Sequence, residues 1–289
     1  MASHADDQYY VPHESHWPVV GSVGLLFMMV GVSIWLNGSA PGFWVMMTGV
    51  AVIIFMVTGW FRNVINESVG GMYNAQVDKS FRMGMLWFIF SEVMFFLAFF
   101  GALFYARTMS IPWLGGADNN FFTNIILWSG FESTWPTNGP GEVGGEFQIM
   151  GPIGLPLINT VILLTSSVTV TIAHHALIAG KRGILTTFLG ATFILGFIFI
   201  GLQAYEYMHA YNDLNLKLTS GIYGSTFFML TGFHGLHVTL GAIILLIIWF
   251  RVLKGHFTKD KHFAFEAAAW YWHFVDVVWV GLYVFVYWL

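Results

Sequence analysis

Glu92 is an acidic residue in the middle of a long apolar stretch of the sequence. An ionisable side chain inside a membrane span costs about 3 kcal/mol or more, so such a residue indicates a functional site by default. Phe88, Phe95 and Phe96 lie one helical turn away, and an apolar aromatic surrounding disfavours a carboxylate. Two interpretations stay open: a proton-relay or regulatory site, and a neutral acid that is hydrogen-bonded across helices.

A second set of polar residues lies nearer the C-terminus, with His234 and His237 as one pair and His273 and Asp276 as another. The members of each pair are three residues apart, which places them on one face of a helix. Two imidazoles on one face could bind a metal ion or a haem. We expect hydrogen bonds across helices to buried acids such as Glu92 and Asp276 instead, because no Glu-x-x-His pair or other ligand motif lies nearby.

Three further polar residues, His174, His175 and Glu206, lie near the ends of their apolar stretches. Adjacent residues such as His174 and His175 point to different faces of a helix and make a poor pair of metal ligands. We therefore expect the two histidines at a membrane interface and Glu206 within reach of water.

The elements that must hold these residues are long apolar segments. Hydrophobic residues make up 57% of the 289-residue chain and charged residues only 9%, whereas soluble domains carry about 25% charged residues. Seven segments reach the roughly 20 apolar residues that a membrane-spanning helix needs; they are 18–36, 42–61, 83–106, 154–179, 184–208, 220–250 and 267–289. The sequence therefore predicts an all-α polytopic membrane protein with seven transmembrane helices.

The composition also excludes several classes of protein. So few charged residues exclude a soluble or a disordered chain. A net charge of −4 without a basic run provides no electrostatic surface for nucleic acid. The absence of cysteine excludes disulfides, thiolate metal sites, iron–sulfur clusters and a thiol nucleophile.

The basic residues predict the orientation, because Lys and Arg collect on the cytoplasmic side of membrane proteins. With a cytoplasmic N-terminus, nine of the eleven Lys and Arg residues fall in inner segments, and only Arg107 and Lys217 fall in outer ones. Seven spans then place the C-terminus at Leu289 on the outer side. The first sixteen residues contain no Lys or Arg and no cleavage pattern, so we expect the first helix to be retained.

Gly24, Gly31 and Gly38 recur every seven residues and lie near one face of the first helix. Small residues let two helix backbones approach closely in lipid. A short turn at 37–41, which contains Asn, Gly and Pro, joins the first two spans as an antiparallel hairpin. We expect the three glycines to pack against the second span rather than bind a ligand.

Two segments carry a family resemblance, namely 221–238, GIYGSTFFMLTGFHGLHV, and 263–289, FAFEAAAWYWHFVDVVWVGLYVFVYWL. Both resemble the last helices of cytochrome c oxidase subunit III. Shorter matches occur at Trp17-Pro18, 61–65, Glu67-Ser68, 91–93, 95–96 and 173–175. The resemblance covers essentially the whole chain.

The resemblance implies a fold of two helix bundles, residues 18–61 and 83–289, with a V-shaped cleft that holds phospholipid. A cytoplasmic loop at 62–82 would join the bundles. Residues 1–17 would form a cytoplasmic tail and residues 107–153 a long periplasmic loop. Compared with mitochondrial members of the family it resembles, the chain has a longer outer loop, with 119–133 as its least familiar part, which favours a bacterial inner (plasma) membrane.

The resemblance also implies a function, that of a non-catalytic, lipid-binding subunit of an aa3-type haem–copper oxidase. Catalytic subunit I would lie directly beside this chain and subunit II in the same complex. Haem a, haem a3 and copper would belong to these partners, and cytochrome c would supply electrons. In the family, this subunit supports proton uptake and protects the catalytic subunit during O₂ reduction and proton pumping.

Individual residues take roles from the same resemblance. Glu92 matches the family's buried glutamate of the third helix. Phospholipid head groups would be bound by Arg62 and Glu67 after the second span, and by Arg251 and His262 before the seventh. An arginine at the inner interface can bind a phosphate through two hydrogen bonds. The alternative is that these four residues are ordinary flanking charges.

Two other functions stay open at this point. One is a stand-alone proton-coupled transporter or channel that uses Glu92, Asp276 and the histidines of the sixth span. The other is a haem-binding membrane anchor that uses His234 and His237. Purification separates the three hypotheses, because only the oxidase subunit would co-purify with a partner that bears haem and copper while it carries no cofactor itself.

Overall fold

The computed structural model describes residues 10–11 and 14–288, and all regular secondary structure in these residues is helical. Seven helices are long and apolar enough to cross a membrane, which confirms the predicted fold class. They are α1 (Trp17–Leu36), α2 (Pro41–Val69), α3 (Ala75–Leu114), α4 (Leu155–Ile178), α5 (Arg182–Asn212), α6 (Gly221–Leu253) and α7 (Phe263–Trp288). The orientation of the termini and the lipid-filled cleft stay predictions. Most of the expected tail at 1–17, and Leu289, lie outside the described residues.

The helices run beyond the apolar spans, most clearly at the segment 62–82. Instead of a loop, α2 continues to Val69 and α3 begins at Ala75, so that only residues 70–74 are non-helical. A helix does not need apolar side chains to continue, because its backbone hydrogen bonds are internal. It ends here at the first residues that favour a turn, Gly70 and Gly71, and Gly71 has a φ of 72°.

The segment 107–153, predicted as one long loop, contains short helical pieces. The α-helical part of α3 ends at Tyr105 and passes through a π-helical turn, Ala106–Ser110, into a last α-helical turn, Ile111–Leu114. A second π-helical turn, Thr123–Leu127, follows. The third helix therefore extends past the predicted end of its span at 106.

The chain divides into two compact units, Met1–Met83 and Gly84–Leu289, here called the hairpin unit and the bundle unit. In the hairpin unit, α1 and α2 pack backbone against backbone. A Cβ atom added to Gly31 would overlap the backbone of Met46, and one added to Gly49 would overlap the backbone of Met28. At Gly24 the added atom would meet side chains of α2. Close approach through glycine is a usual way for helices to associate in lipid.

Gly38 does not share this role, although it continues the seven-residue spacing. It lies in the turn after α1 with a φ of 83°, and a Cβ atom added there would meet nothing within 4 Å. The expectation that all three glycines pack against the second span is therefore wrong for Gly38. This glycine serves the turn, because a positive φ is easily adopted only by glycine.

The core of the bundle unit contains large side chains whose indole N–H groups form hydrogen bonds to a neighbouring helix. Trp272 and Trp279 of α7 are completely buried. The indole N–H of Trp272 donates to Ser166 Oγ at 2.9 Å, and that of Trp279 donates to Thr160 Oγ1 at 2.9 Å. Both hydroxyl groups belong to α4, so the two tryptophans join α7 to α4. Hydrogen bonding inside the protein is required where lipid offers no partner.

Candidate functional site

A hydrogen bond between Glu92 and His237 joins α3 to α6 inside the bundle unit. Glu92 Oε2 lies 2.8 Å from His237 Nε2, and His237 Nδ1 lies 2.6 Å from the Phe233 carbonyl oxygen. Because a carbonyl oxygen only accepts, Nδ1 carries a proton and donates it. One further proton must then lie on the contact between Nε2 and Oε2. It belongs either to a neutral acid beside a neutral imidazole or to an imidazolium beside a carboxylate, and the pair has no net charge in either form.

Aromatic side chains surround this pair on the α3 side. The rings of Phe95 and Phe96 lie 5.9 and 5.0 Å from the imidazole of His237. The side chain of His237 is 11% exposed and that of Glu92 22% exposed. His237 thus forms the kind of interhelical hydrogen bond to an acid that we expect of the histidines of the sixth span, and tertiary structure selects Glu92 as its partner.

His234 faces a different part of the bundle unit. It is completely buried, its Nε2 donates to the Val275 carbonyl oxygen at 3.1 Å, and Phe199 and Trp279 pack against its ring. Its Nδ1 is buried without a hydrogen-bond partner among the described residues. Three of the four ring nitrogens of His234 and His237 are therefore bonded to protein oxygens. This arrangement gives no support to a metal or haem site shared by the two histidines.

His273 and Asp276 face α4 rather than the histidines of α6. His273 Nδ1 lies 2.6 Å from Ser167 Oγ, and its Nε2 lies 3.4 Å from Thr171 Oγ1. Asp276 is 6% exposed, and its Oδ1 has no hydrogen-bond partner within the described part of the chain. His234 bonds instead to the backbone next to Asp276, at Val275.

Glu206 is completely buried, so the expectation that it reaches water is wrong. The hydroxyl of Tyr287 donates to Glu206 Oε1 at 2.6 Å, and Gln203 Nε2 donates to the same oxygen at 3.5 Å. Position within a span could not reveal this burial, because Tyr287 lies 81 residues further along the chain, in the last turn of α7.

The charged residues after the second span lie in the hairpin unit. Arg62 is exposed and forms no ion pair with any residue that the structure describes. Glu67 Oε2 accepts a 2.7 Å hydrogen bond from the hydroxyl of Tyr73. Burial and this bond to Glu67 raise the pKa of Tyr73 above its ordinary value. Glu67 is thus occupied by a protein donor, whereas Arg62 is available to a ligand.

Arg251, at the end of α6, is a buried cation. It is 9% exposed, its guanidinium stacks 4.6 Å from the centre of the Phe257 ring, and its Nε has no hydrogen-bond partner among residues 10–11 and 14–288. Phe257 is held in place by Arg182, whose Nη2 donates to its carbonyl oxygen. Burial, followed by the charges of Arg251 and Lys254, lowers the pKa of nearby His256. The local electrostatics therefore favour an anion.

The fourth predicted head-group residue, His262, is engaged with protein groups. Its Nδ1 donates to the Thr258 carbonyl oxygen at 3.1 Å, and its Nε2 lies 3.7 Å from Glu266 Oε1. Glu266 is not among the site residues predicted from the sequence. The spacing of four residues between His262 and Glu266 was the available signal, because it places two metal-ligating side chains on adjacent turns.

These observations define a polytopic helical membrane protein with an interior of paired polar side chains. The family model of cytochrome c oxidase subunit III matches residues 7–120 and 117–289. Cytochrome c oxidase subunit 3 of Bos mutus grunniens is 39% identical over 287 residues, which cover 99% of both chains. The subunits of Antilope cervicapra and Hippopotamus amphibius are each 40% identical, over 99% of this chain and 98% of theirs.

The chain belongs to the cytochrome c oxidase subunit III family. It is therefore a subunit of a terminal oxidase complex and a multi-pass membrane protein. The resemblance found in the sequence is confirmed. The two matched segments meet at 117–120, inside the long connection between α3 and α4.

Proposed function

We propose that this chain is a non-catalytic, lipid-binding subunit of an aa3-type cytochrome c oxidase in a bacterial inner membrane. It packs beside catalytic subunit I, in one complex with subunit II. These partners carry haem a, haem a3 and copper and receive electrons from cytochrome c. The chain sustains proton uptake and protects the catalytic subunit during O₂ reduction and proton pumping.

The observation that carries the lipid-binding proposal is the arginine at the end of α6. A buried cation without an anionic partner is destabilising, because its lost hydration is not replaced. The guanidinium of Arg251 stacks on Phe257, and its Nε has no hydrogen-bond partner among the described residues. The N–H groups of a guanidinium can donate in parallel to two oxygens of a phosphate. A phospholipid head group at the end of the span supplies such an oxygen pair.

Arg62 is the corresponding candidate in the hairpin unit, because it is exposed and unpaired within the described residues. Glu67 contributes by orienting Tyr73 rather than by meeting a phosphate. We leave His262 out of this lipid site, because its imidazole is 11% exposed and faces Glu266.

The Glu92–His237 pair supports a stabilising role rather than proton conduction through this chain. A pair that shares one proton and has no net charge in either of its forms links α3 to α6. In this proposal, proton transfer takes place in the catalytic subunit, and the neutral pair keeps the neighbouring helices in register. Asp276 adds a second buried polar group on α7.

The test compares Arg251→Ala with wild type in the purified oxidase complex. Charge-assisted hydrogen bonds contribute about 1.5–3 kcal/mol each, so the substitution should weaken head-group binding by roughly ten- to a hundredfold. We expect loss of a bound phospholipid, measured by mass spectrometry, and faster inactivation during turnover. The initial rate, which the catalytic subunit sets, should change less than the inactivation rate.

Lys261→Ala is the matched control, since Lys261 is an exposed basic residue of the same connection between α6 and α7. It should retain the lipid and inactivate as slowly as wild type. If Arg251→Ala also keeps its lipid and its inactivation kinetics, the proposed lipid site is wrong.

A further inference from the structure

We propose that the bundle unit binds a zinc ion through His174, His262 and Glu266. His174 lies in the last turns of α4, His262 directly precedes α7, and Glu266 lies in the first turn of α7. Imidazole and carboxylate groups are common zinc ligands. The site is separate from the Glu92–His237 pair and does not depend on lipid binding at Arg251.

The distances between the donor atoms carry the proposal. One nitrogen of each histidine and one oxygen of Glu266 lie within 4.8 Å of one another. His174 Nε2 is 3.8 Å and His262 Nε2 is 3.7 Å from Glu266 Oε1. Tetrahedral zinc with bonds of about 2.0–2.2 Å holds its ligand atoms about 3.3–3.5 Å apart. The two distances to Glu266 would have to shorten by only a few tenths of an ångström to match this geometry, and the two histidine nitrogens lie no more than 4.8 Å apart.

The same distances are too long for direct hydrogen bonds, which extend to about 3.2 Å between nitrogen and oxygen. The three atoms thus converge on a common point instead of bonding one another. His174 Nε2 is buried and lacks a hydrogen-bond partner in the described part of the chain. A buried ring nitrogen without a partner requires a compensating contact, and a cation at the common point provides it.

The hydrogen bonds around the site prepare His262 as a ligand. Its Nδ1 donates to the Thr258 carbonyl oxygen at 3.1 Å, so in the neutral ring the lone pair lies on Nε2, the atom that faces Glu266. Metal-binding histidines usually donate their second ring nitrogen to a carbonyl or carboxylate in this way. The bond thus sets both the tautomer and the direction of the ring before any ion arrives.

The three side chains of the site are partly exposed. The side chains of His174, Glu266 and His262 are 26%, 16% and 11% exposed. Three protein ligands leave the fourth position of a tetrahedral ion open to water. Because His174 belongs to α4 and the other two ligands to the start of α7, the ion would crosslink the ends of two helices.

The experiment measures zinc binding to the intact oxidase complex after treatment with a chelator, by equilibrium dialysis with Zn²⁺ and elemental analysis. Wild type and His175→Ala should each retain one zinc ion more per chain than His174→Ala and Glu266→Gln. His175 is the matched control because it is the neighbouring imidazole and is not part of the cluster. Zinc bound elsewhere in the complex contributes equally to wild type and to every variant, so it does not affect the difference between them.

Mutation of a residue that only hydrogen-bonds to a metal ligand lowers metal affinity by about 10- to 100-fold. Removal of a ligand itself should therefore lower zinc affinity by at least about 100-fold. Glu266→Gln keeps the size of the side chain and covers the case in which His174→Ala fails to assemble, as judged from haem content. The proposal is overturned if wild type retains no zinc at this stoichiometry, or if Glu266→Gln retains as much zinc as wild type.

Discussion

The helices inside the hairpin unit and the helices inside the bundle unit pack in different ways. In the most apolar 18-residue window of each helix, 17% of the residues of α1 and 11% of those of α2 are buried, against 44% in α6 and 50% in α7. The hairpin helices meet at glycine, where their backbones touch. The bundle helices meet through buried tryptophan, phenylalanine and hydrogen-bonded polar side chains.

This difference in packing explains which unit can bury acidic and basic side chains. Lipid is as apolar as leucine, so helices in a membrane associate through close packing and interhelical hydrogen bonds. In the hairpin unit, α1 and α2 meet through close packing at glycine. The acidic and basic side chains that are buried in the described residues, histidine included, all belong to the bundle unit; they are Glu206, His234, His237, Arg251 and Asp276.

The largest test of this comparison is Trp272→Ala in the bundle unit. Trp272 is completely buried and bonded to Ser166, so its truncation leaves a cavity and removes the indole N–H that donates to Ser166 Oγ. We expect the free energy of unfolding of the full chain in detergent to fall by about 3–5 kcal/mol. Trp44→Ala in the hairpin unit is the control, because Trp44 is 71% exposed. Similar losses for the two variants would contradict the proposed difference between the units.

A smaller effect is expected for Gly31→Leu in the hairpin unit. The new side chain would overlap the backbone of Met46 and force α1 away from α2. Overpacking of this kind costs about 1–3 kcal/mol in the free energy of unfolding. Gly84→Leu, at a helical glycine whose added Cβ would meet nothing within 4 Å, should cost much less. Equal stability of the two variants would show that close backbone packing does not hold the hairpin.

The smallest effect is expected for Glu92→Gln, which tests the polar interior of the bundle unit. Glutamine can still donate to His237 Nε2 and keeps the pair neutral. The free energy of unfolding should therefore change by less than about 1 kcal/mol. Proton uptake by the oxidase complex should remain close to wild type in stopped-flow measurements. The comparison variant is Glu92→Leu, which leaves His237 Nε2 without its acid and should cost about 1–3 kcal/mol. An immediate collapse of proton uptake in Glu92→Gln would mean that ionisation of Glu92 is essential.

Much of the fold could be predicted from the sequence, because long apolar segments have one stable form in a bilayer. The span predicted at 18–36 differs by one residue from Trp17–Leu36. The end of the second helix was harder to predict, because hydropathy marks where lipid ends and not where the helix ends. In the site, Glu92 was recognised by its apolar surroundings. Glu266 was missed although His262 lies only four residues before it, because the third member of the cluster, His174, lies far away in the sequence.

The sequence by itself determined the class of protein, the seven spans and the family, since these depend on composition, segment length and long matching strings. Only tertiary structure decided which polar groups meet. His237 and His234 lie three residues apart, yet one bonds to Glu92 on α3 and the other to the backbone of α7 at Val275. A helix places residues on its faces by local geometry, but the identity of the neighbouring helix depends on packing across the whole chain. For the same reason, Glu206 is buried by Tyr287, and His174 meets His262 and Glu266.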